Sequence, residues 1–109
     1  MHELAITESI VAGVSECANG SRVIRVTLHV GKLSGVVPDA VRFCFDVCCK
    51  GTALEGAELQ IVEIEGRARC RDCGLEIQVT NLIALCACGS VNLEVLSGEE
   101  LKIKEVEVV

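Results

Sequence analysis

Two close pairs of cysteines in the second half of the chain constrain its folding more than any other feature. Cys70 and Cys73 are separated by two residues, Cys86 and Cys88 by one, and each pair is followed directly by glycine. Twelve residues separate the two pairs. Cysteines at this spacing can direct their thiolates at one ion, and four thiolates form the closed tetrahedral site that is typical of structural zinc. The pattern therefore predicts a zinc ribbon, and four free or disulfide-bonded cysteines are the alternative.

The second pair departs from a regular ribbon, in which both pairs have the spacing C-x-x-C. Cys86 and Cys88 enclose a single residue. A shorter bite strains a tetrahedral site that four sulfurs share. We therefore expect either that one of these two cysteines ligates less well or that the local turn is unusual.

Composition limits both the size of the core and the class of partner. The chain has 109 residues, enough for one domain or two very small lobes. It contains two phenylalanines and neither tryptophan nor tyrosine, so the core must be built mainly from Val, Ile, Leu and Ala. The net charge of −6 argues against nucleic-acid binding, which requires clustered Lys and Arg.

The sequence shows neither a secretion signal nor a membrane-spanning segment. Glu3 and Glu8 interrupt the N-terminal region, and the longest uncharged run, residues 77–93, contains several polar side chains. We therefore expect a cytoplasmic protein that does not enter a membrane. In that compartment the eight cysteines are reduced thiols or metal ligands rather than disulfides.

Hydrophobic periodicity predicts an α+β fold. Apolar residues recur every three or four positions in residues 2–18 and again after Pro38, which indicates two helices. Strict alternation in residues 24–30 indicates a half-buried strand. Further strands are predicted at residues 57–65, 75–80, 92–96 and 101–109.

The order of these elements places the zinc ribbon inside the sequence of a larger domain. We expect two helices on a small three-stranded sheet, formed by residues 1–66 plus 99–109. Residues 67–98 form an inserted zinc-ribbon lobe before the last strand. A unit of about thirty residues lies below the size that usually folds without metal or disulfides, so zinc supplies much of its folding energy.

The N-terminal residues Met1, His2 and Glu3 form a second candidate metal site. The terminal amine of Met1, the amide nitrogen of His2 and its imidazole can close fused five- and six-membered chelate rings around one ion. Such a nitrogen-rich, near-planar set of donors suits Ni(II) or Cu(II) better than Mg or Ca. A solvated chain end is the alternative interpretation.

Motifs spread along essentially the whole chain carry a family resemblance. They are Met-His-Glu-Leu at residues 1–4, Gly-Lys-Leu-Ser-Gly-Val at residues 31–36, Glu-Gly-Ala-Glu-Leu at residues 55–59, Ala-Arg-Cys-Arg-Asp-Cys-Gly at residues 68–74, Cys-Gly-Ser at residues 88–90 and Ser-Gly-Glu-Glu-Leu at residues 97–101. With these motifs in this order, the chain resembles the hydrogenase nickel-incorporation proteins of the HypA/HybF family.

The resemblance implies a metallochaperone and not an enzyme. Proteins of this family bind one nickel ion at the Met-His-Glu terminus, which makes His2 the essential nickel ligand and Glu3 a neighbouring ligand or modulator. With a partner GTPase of the HypB type, they deliver the nickel to the large-subunit precursor of a [NiFe] hydrogenase. Their ribbon cysteines hold structural zinc, usually with C-x-x-C in the second half as well. The resemblance also leaves room for a homodimer.

Two other classes of protein are alternatives to a metallochaperone. A rubredoxin-like electron carrier would use the four ribbon cysteines for iron, and a zinc-ribbon adaptor would bind other proteins without a transferable metal. No nucleophile–base pair or phosphate loop is apparent in the sequence, so catalysis ranks last. For Cys17, Cys44, Cys48 and Cys49 we expect buried small hydrophobes. For His29 we expect a solvated surface position, with a second metal-binding role as the alternative. For Asp39 we expect a favourable charge at a helix start, with an additional nickel ligand as the alternative.

Overall fold

Two helices and six strands make up the described part of the chain, which comprises residues 3–80 and 84–109 of a computed structural model. In order along the chain, the elements are α1 (Glu3–Ala18), β1 (Val23–Gly31), α2 (Pro38–Cys48), β2 (Glu58–Ile64), β3 (Gly66–Cys70), β4 (Glu76–Val79), β5 (Leu93–Ser97) and β6 (Leu101–Val108). Within these residues, neither helix has the length and apolar character needed to cross a lipid bilayer.

The main sheet has the strand order β2-β1-β6, with β1 in the centre. β1 runs parallel to β2 and antiparallel to β6. Because a parallel pair needs a crossover connection, α2 lies between β1 and β2 in sequence. The predicted alternation in β1 is confirmed: Val26, Leu28 and Val30 are buried, whereas the residues between them are half-buried on the opposite face.

Both helices pack on the face of the sheet that carries the buried side chains of β1. α1 contributes Val11 and Val14 to this core, and α2 contributes Val41 and Phe45. Pro38 begins α2 as predicted. Proline lacks a backbone N–H, and at this first position an N–H would have no intrahelical acceptor, so no hydrogen bond is lost. The opposite face of the sheet is mostly polar and carries the ion pairs of Arg25 with Glu58 and Glu107, and neither helix of the described residues packs on it.

A second three-stranded sheet, with the order β4-β3-β5, lies between β2 and β6 in sequence. Both of its strand pairings are antiparallel. Among the described residues, Leu33, Ala68 and Val79 are the buried members of the hydrophobic cluster on this sheet. The predicted fold class is therefore confirmed: two helices on a three-stranded sheet, with a small inserted lobe that carries the four ribbon cysteines.

The sequence analysis predicted no strand at residues 66–70, and the structure corrects it by showing β3 there. Its alternation is visible in the burial pattern, because Gly66, Ala68 and Cys70 are buried while Arg67 and Arg69 are exposed. Two arginines in five residues and a leading glycine obscured the strand in the sequence. The exposed arginines form ion pairs with glutamates on the neighbouring strands β4 and β5.

The two sheets meet at a narrow junction that includes glycines. The Gly31 amide donates a hydrogen bond to the Glu100 carbonyl (2.6 Å), and the Leu33 amide donates one to the Gly98 carbonyl (2.7 Å). A Cβ atom on Gly31 would lie 2.0 Å from the Gly98 carbonyl oxygen, so no larger residue fits there. Leu33 extends from the loop after β1 into the core of the second sheet. These contacts fix the position of the cysteine-bearing lobe on the main sheet.

Candidate metal centre

The four ribbon cysteines converge at one end of the second sheet. Cys70 ends β3 and Cys73 lies in the turn before β4, whereas Cys86 and Cys88 lie in the segment before β5. Their four sulfur atoms lie within 4.8 Å of one another, and the pairs Cys70–Cys88 and Cys73–Cys86 have sulfur–sulfur distances of 3.6 Å. Sulfurs bound to one tetrahedral zinc at about 2.3 Å lie about 3.8 Å apart. The arrangement therefore fits a four-thiolate zinc site.

The shorter second pair is accommodated by a tighter turn. After the first pair, the Gly74 amide donates to the Cys70 carbonyl across four residues (2.8 Å). After the second, the Gly89 amide donates to the Cys86 carbonyl across three (2.8 Å). Both glycines have positive φ angles, 78° and 90°, a backbone conformation that residues with a side chain rarely adopt. Of the two expectations for this pair, the structure shows the altered turn, and the sulfurs of Cys86 and Cys88 both reach the cluster.

Backbone amides and neighbouring thiols give the four cysteines different acidities. Amide hydrogen bonds, above all from the amide of Cys73, lower the pKa of the Cys70 thiol to about 6. At Cys88 the Ser90 amide lowers the pKa, but the adjacent thiols, first that of Cys86, raise it to about 12. Four thiolates in so small a space repel one another. A divalent cation offsets this repulsion, so binding it releases protons from the cluster.

Polar residues beside the cysteines connect the two turns. The Ser90 hydroxyl donates a short hydrogen bond to the Asp72 carboxylate, and the Asn92 amide donates to the Ser90 hydroxyl (3.0 Å). The Arg71 amide donates to the Asn92 carbonyl (2.9 Å). The sequence reasoning gave these residues no role in the site. In the sequence, the sign of this role was a short polar residue near each cysteine pair, Asp72 near the first pair and Ser90 near the second.

Of the residues predicted to bind nickel, Glu3 is described by the structure, whereas Met1 and His2 lie outside the described residues. Glu3 begins α1, where its carbonyl accepts a hydrogen bond from the buried Thr7 hydroxyl (2.6 Å). Its carboxylate accepts one from the amide of Val37 (3.4 Å), the residue before α2. The start of α1 is thereby tied to the start of α2.

The two other candidate residues lie in different places: His29 is in the middle of β1, whereas Asp39 is in the first turn of α2, two residues after Val37. His29 lies on the uncovered face of the main sheet, between Val62 of β2 and Lys102 of β6, opposite to the face on which α1 packs. The Asp39 side chain is 97% exposed and lies 3.9 Å from the Arg42 guanidinium in the first turn of α2. Both positions agree with the structural roles that the sequence predicted.

Of the four cysteines outside the ribbon, all of which were predicted to be buried, the structure buries Cys49 alone. Cys49 is buried, and this burial raises the pKa of its thiol to about 11. Cys44 and Cys48 are half-buried on α2. The prediction that Cys17 is buried is wrong, because its side chain is exposed on α1 next to the buried Ala18.

Comparisons with known proteins agree in family and fold. The sequence model of the family described as hydrogenase/urease nickel incorporation, metallochaperone, HypA, matches residues 1–108. A hydrogenase maturation factor HypA from a Nostoc species is 62% identical over 108 residues, which cover 99% of this chain and 96% of that protein. One from Trichormus variabilis is 58% identical over 108 residues, with the same coverage.

A solved structure shares the architecture at lower sequence identity. The solution structure of the Ni metallochaperone HypA from Helicobacter pylori superposes with a TM-score of 0.69 at 23% identity, covering 100% of this chain and 98% of that one. At this identity the likeness shows the common fold. The family match over nearly the full length and the identity of the two relatives confirm the resemblance seen in the motifs. The chain therefore belongs to the HypA family, the nickel-incorporation metallochaperones of hydrogenase maturation.

Proposed function

We propose that this chain binds Ni(II) at its N-terminus and, with a partner GTPase of the HypB type, delivers it to the large-subunit precursor of a [NiFe] hydrogenase. The family match over residues 1–108 carries this proposal. The finer assignment of the ligands rests on the donor chemistry of the first three residues. We place this work in the cytoplasm, where a HypB-type GTPase and an unfinished large subunit are both accessible.

The proposed nickel site combines the Met1 amine, the His2 amide and imidazole, and the Glu3 carboxylate. The first amides of a helix have no intrahelical acceptor, so an amide next to the start of α1 is free to lose its proton to a metal. The Glu3 side chain lies near the Val37 amide at 3.4 Å, which is a weak contact that a metal ion can replace. This weak contact supports our assignment of Glu3 as a ligand or as a group that orients the chelate.

The proposed zinc site consists of Cys70, Cys73, Cys86 and Cys88. The sulfur–sulfur distances of 3.6 Å and the hydrogen-bonded glycine turn that follows each pair support it. Zinc would stabilise the small lobe and neutralise its thiolates. A closed thiolate site releases its metal slowly, whereas an exposed terminal chelate exchanges it, so nickel moves and zinc stays.

We also propose a division of labour between two domains, residues 1–66 plus 99–109 for nickel and residues 67–98 for zinc. Two separate sheets and two separate hydrophobic clusters support this division. The glycine junction between them holds the zinc lobe in place without contributing a metal ligand.

Calorimetric titration of Ni(II) into the zinc-loaded chain tests the nickel site. We expect His2→Ala to abolish specific nickel binding, because the imidazole anchors the chelate, and to leave the zinc content unchanged. His29→Ala is the matched control, since His29 lies on the uncovered face of the sheet, and it should bind nickel like the unchanged chain. Residues added before Met1 convert the amine to an amide and should weaken binding. Equal affinity in all of these forms would place the nickel site elsewhere.

A further inference from the structure

Two cysteines outside the zinc cluster lie on successive turns of one face of α2. Cys44 and Cys48 are four residues apart in this helix, and side chains at that spacing have Cβ atoms about 5–6 Å apart on the same side of a helix. Both side chains are half-buried. The next cysteine, Cys49, is buried in the main core, so it is closed to ions from solution. Cys44 and Cys48 therefore form a pair of accessible thiols.

The second thiol of this pair opens into a cleft between the two helices. Cys48 lines a cleft of about 510 Å³, whose wall includes the apolar side chains of Leu4 and Val11 from α1 and Val47 from α2. Leu4 and Val47 are 52% and 53% exposed, so the cleft is open to solvent. An ion can thus reach the sulfur of Cys48. Once the ion is bound, the apolar wall limits the access of water to the metal–sulfur bond.

The surroundings of Cys48 favour the protonated thiol while no metal is present. Burial raises the pKa of the Cys48 thiol above its ordinary 9.0, and the Glu8 carboxylate and the Cys44 thiol raise it further. These two contributions also show that Glu8 and Cys44 lie close to Cys48. The thiolate is the form that attacks oxidants and electrophiles, so a thiol with a raised pKa reacts slowly. The pair therefore suits a metal ion, which displaces the protons, better than it suits a redox reaction.

The number of ligands determines which metal fits the pair. In the part of the chain that the structure describes, the ribbon cysteines are the one group in which three or more potential ligands converge, so no third ligand atom converges with Cys44 and Cys48. Structural zinc takes four ligands, which this pair does not supply. Cu(I) is a soft ion that thiolates select, and two thiolates on opposite sides of the ion satisfy it. Sulfurs on successive turns of one helix face can take up that arrangement.

We propose that Cys44 and Cys48 form a binding site for one Cu(I) ion beside the cleft between α1 and α2. On binding, both S–H bonds break, two protons pass to solvent, and two copper–sulfur bonds form. The copper remains Cu(I), so no oxidant or reductant takes part. The site shares no residue with the ribbon cysteines or with Met1, His2 and Glu3, so it stands independently of the proposed zinc and nickel sites.

Anaerobic titration of Cu(I) into the zinc-loaded chain, in competition with bicinchoninate, tests this site. We expect one Cu(I) ion to bind per chain while the zinc content stays unchanged. X-ray absorption at the copper edge should show two sulfur neighbours. Cys44→Ser and Cys48→Ser should each lower the Cu(I) affinity about a hundredfold or more, because a single sulfur of the pair remains. Cys17→Ser is the matched control and should bind Cu(I) like the unchanged chain, since Cys17 is an exposed thiol on α1.

A relocated thiol separates the geometry of the pair from the number of thiols. Asp46→Cys/Cys48→Ser has as many cysteines as the unchanged chain, but its thiols at positions 44 and 46 do not share a helix face. It should bind Cu(I) as weakly as Cys48→Ser. Asp46 is exposed, so this substitution leaves the core unaltered. Circular dichroism and zinc content establish that each variant is folded.

Three results would overturn the proposal. One is Cu(I) that enters the chain only as zinc leaves it, which would place the copper at the ribbon cysteines. Another is an affinity in Cys44→Ser or Cys48→Ser equal to that of the unchanged chain. The third is full binding by Asp46→Cys/Cys48→Ser, which would show that any two thiols on α2 suffice.

Discussion

The individual cysteines of the metal cluster have different surroundings, although the sequence presents them as two pairs. Cys70 and Cys86 are buried, at 1% and 2% exposure, whereas Cys73 and Cys88 are exposed. Each pair thus contributes one buried and one exposed sulfur. The spacing of the cysteines could not predict this difference in burial, because the burial of each sulfur depends on which side of its turn packs against β3 and β5. The two pairs therefore do not differ in burial, although the second pair has the shorter spacing.

This difference predicts unequal effects of serine substitution within the cluster. The sulfur of Cys70 accepts hydrogen bonds from the backbone amides of Cys73 and Asp72, whereas the sulfur of Cys88 accepts one from the backbone amide of Ser90. Groups that hydrogen-bond and orient a metal ligand affect metal affinity by roughly tenfold or more. We therefore expect Cys70→Ser to weaken zinc binding about tenfold more than Cys88→Ser, as measured by competition with a chromogenic chelator. Cys44→Ser, outside the cluster, should retain full zinc binding.

Equal loss of zinc from Cys70→Ser and Cys88→Ser would contradict this ranking. It would mean that the four thiolates act as one unit and that burial and amide hydrogen bonds contribute little to affinity. Loss of zinc from Cys44→Ser would show instead that substitution of any half-buried thiol disturbs the fold.

At the scale of the elements, the sequence predicted the helices and strands whose hydrophobic periodicity comes from a single buried face. β1 was predictable because Val26, Leu28 and Val30 alternate with polar residues, and α2 because Pro38 precedes an apolar stripe. β3 was not, because its buried positions include glycine and cysteine and its exposed ones are arginines. Leu33 in the second core was also unpredictable, since a single loop residue has no periodicity.

The contact between the end of β1 and the segment before β3 includes an ion pair as well as a main-chain hydrogen bond from Lys32 to Ile64. The Lys32 ammonium lies 2.5 Å from a Glu65 carboxylate oxygen, and the Gln78 amide of β4 donates to the other oxygen (2.8 Å). The hydrogen bond from Lys32, followed by that from Gln78, lowers the pKa of Glu65 below its ordinary 4.5. The hydrogen bond to Glu65 raises the pKa of Lys32 above its ordinary 10.5.

These shifts predict the pH range in which the Lys32–Glu65 ion pair contributes to the stability of the junction. A carboxylate with a lowered pKa stabilises the folded state above its unfolded pKa, and this contribution is lost as pH falls through the folded pKa. The raised pKa of Lys32 contributes fully below 10.5 and is lost as pH rises through the folded value. The ion pair should therefore be complete between about pH 4.5 and pH 10.5.

Carboxyl NMR titration of Glu65 measures this effect directly. We expect the midpoint for Glu65 to rise towards its ordinary value in Lys32→Met, because the variant keeps the length of the side chain and removes its charge. Lys50→Met, at the end of α2, is the matched control and should leave the midpoint unchanged. A midpoint that is the same in Lys32→Met and in the unchanged chain would show that the two side chains do not pair in solution.

At the scale of the whole molecule, the two lobes differ in how much hydrophobic core they have. In the described residues, the main domain buries residues from both helices and from β1 in one cluster, whereas the second cluster has Leu33, Ala68 and Val79 alone as buried members. One of these three, Leu33, is supplied by the main domain. So small a core stabilises little by itself, so a metal at the proposed zinc site would supply much of the lobe's stability.

This imbalance predicts that removing zinc unfolds one lobe and leaves the other intact. After treatment with a strong chelator, amide hydrogen exchange should become fast at Ala68 and Ile77, which face each other in β3 and β4, while Val26 and Leu28 in β1 stay protected. The main sheet keeps its core because no cysteine of the cluster packs in it. Nickel binding at the N-terminus should then survive chelation of zinc by a reagent that is removed before the titration. If the amides of β1 lost protection together with those of β3, the two lobes would form one cooperative unit, and zinc at the proposed site would stabilise the main domain through the glycine junction.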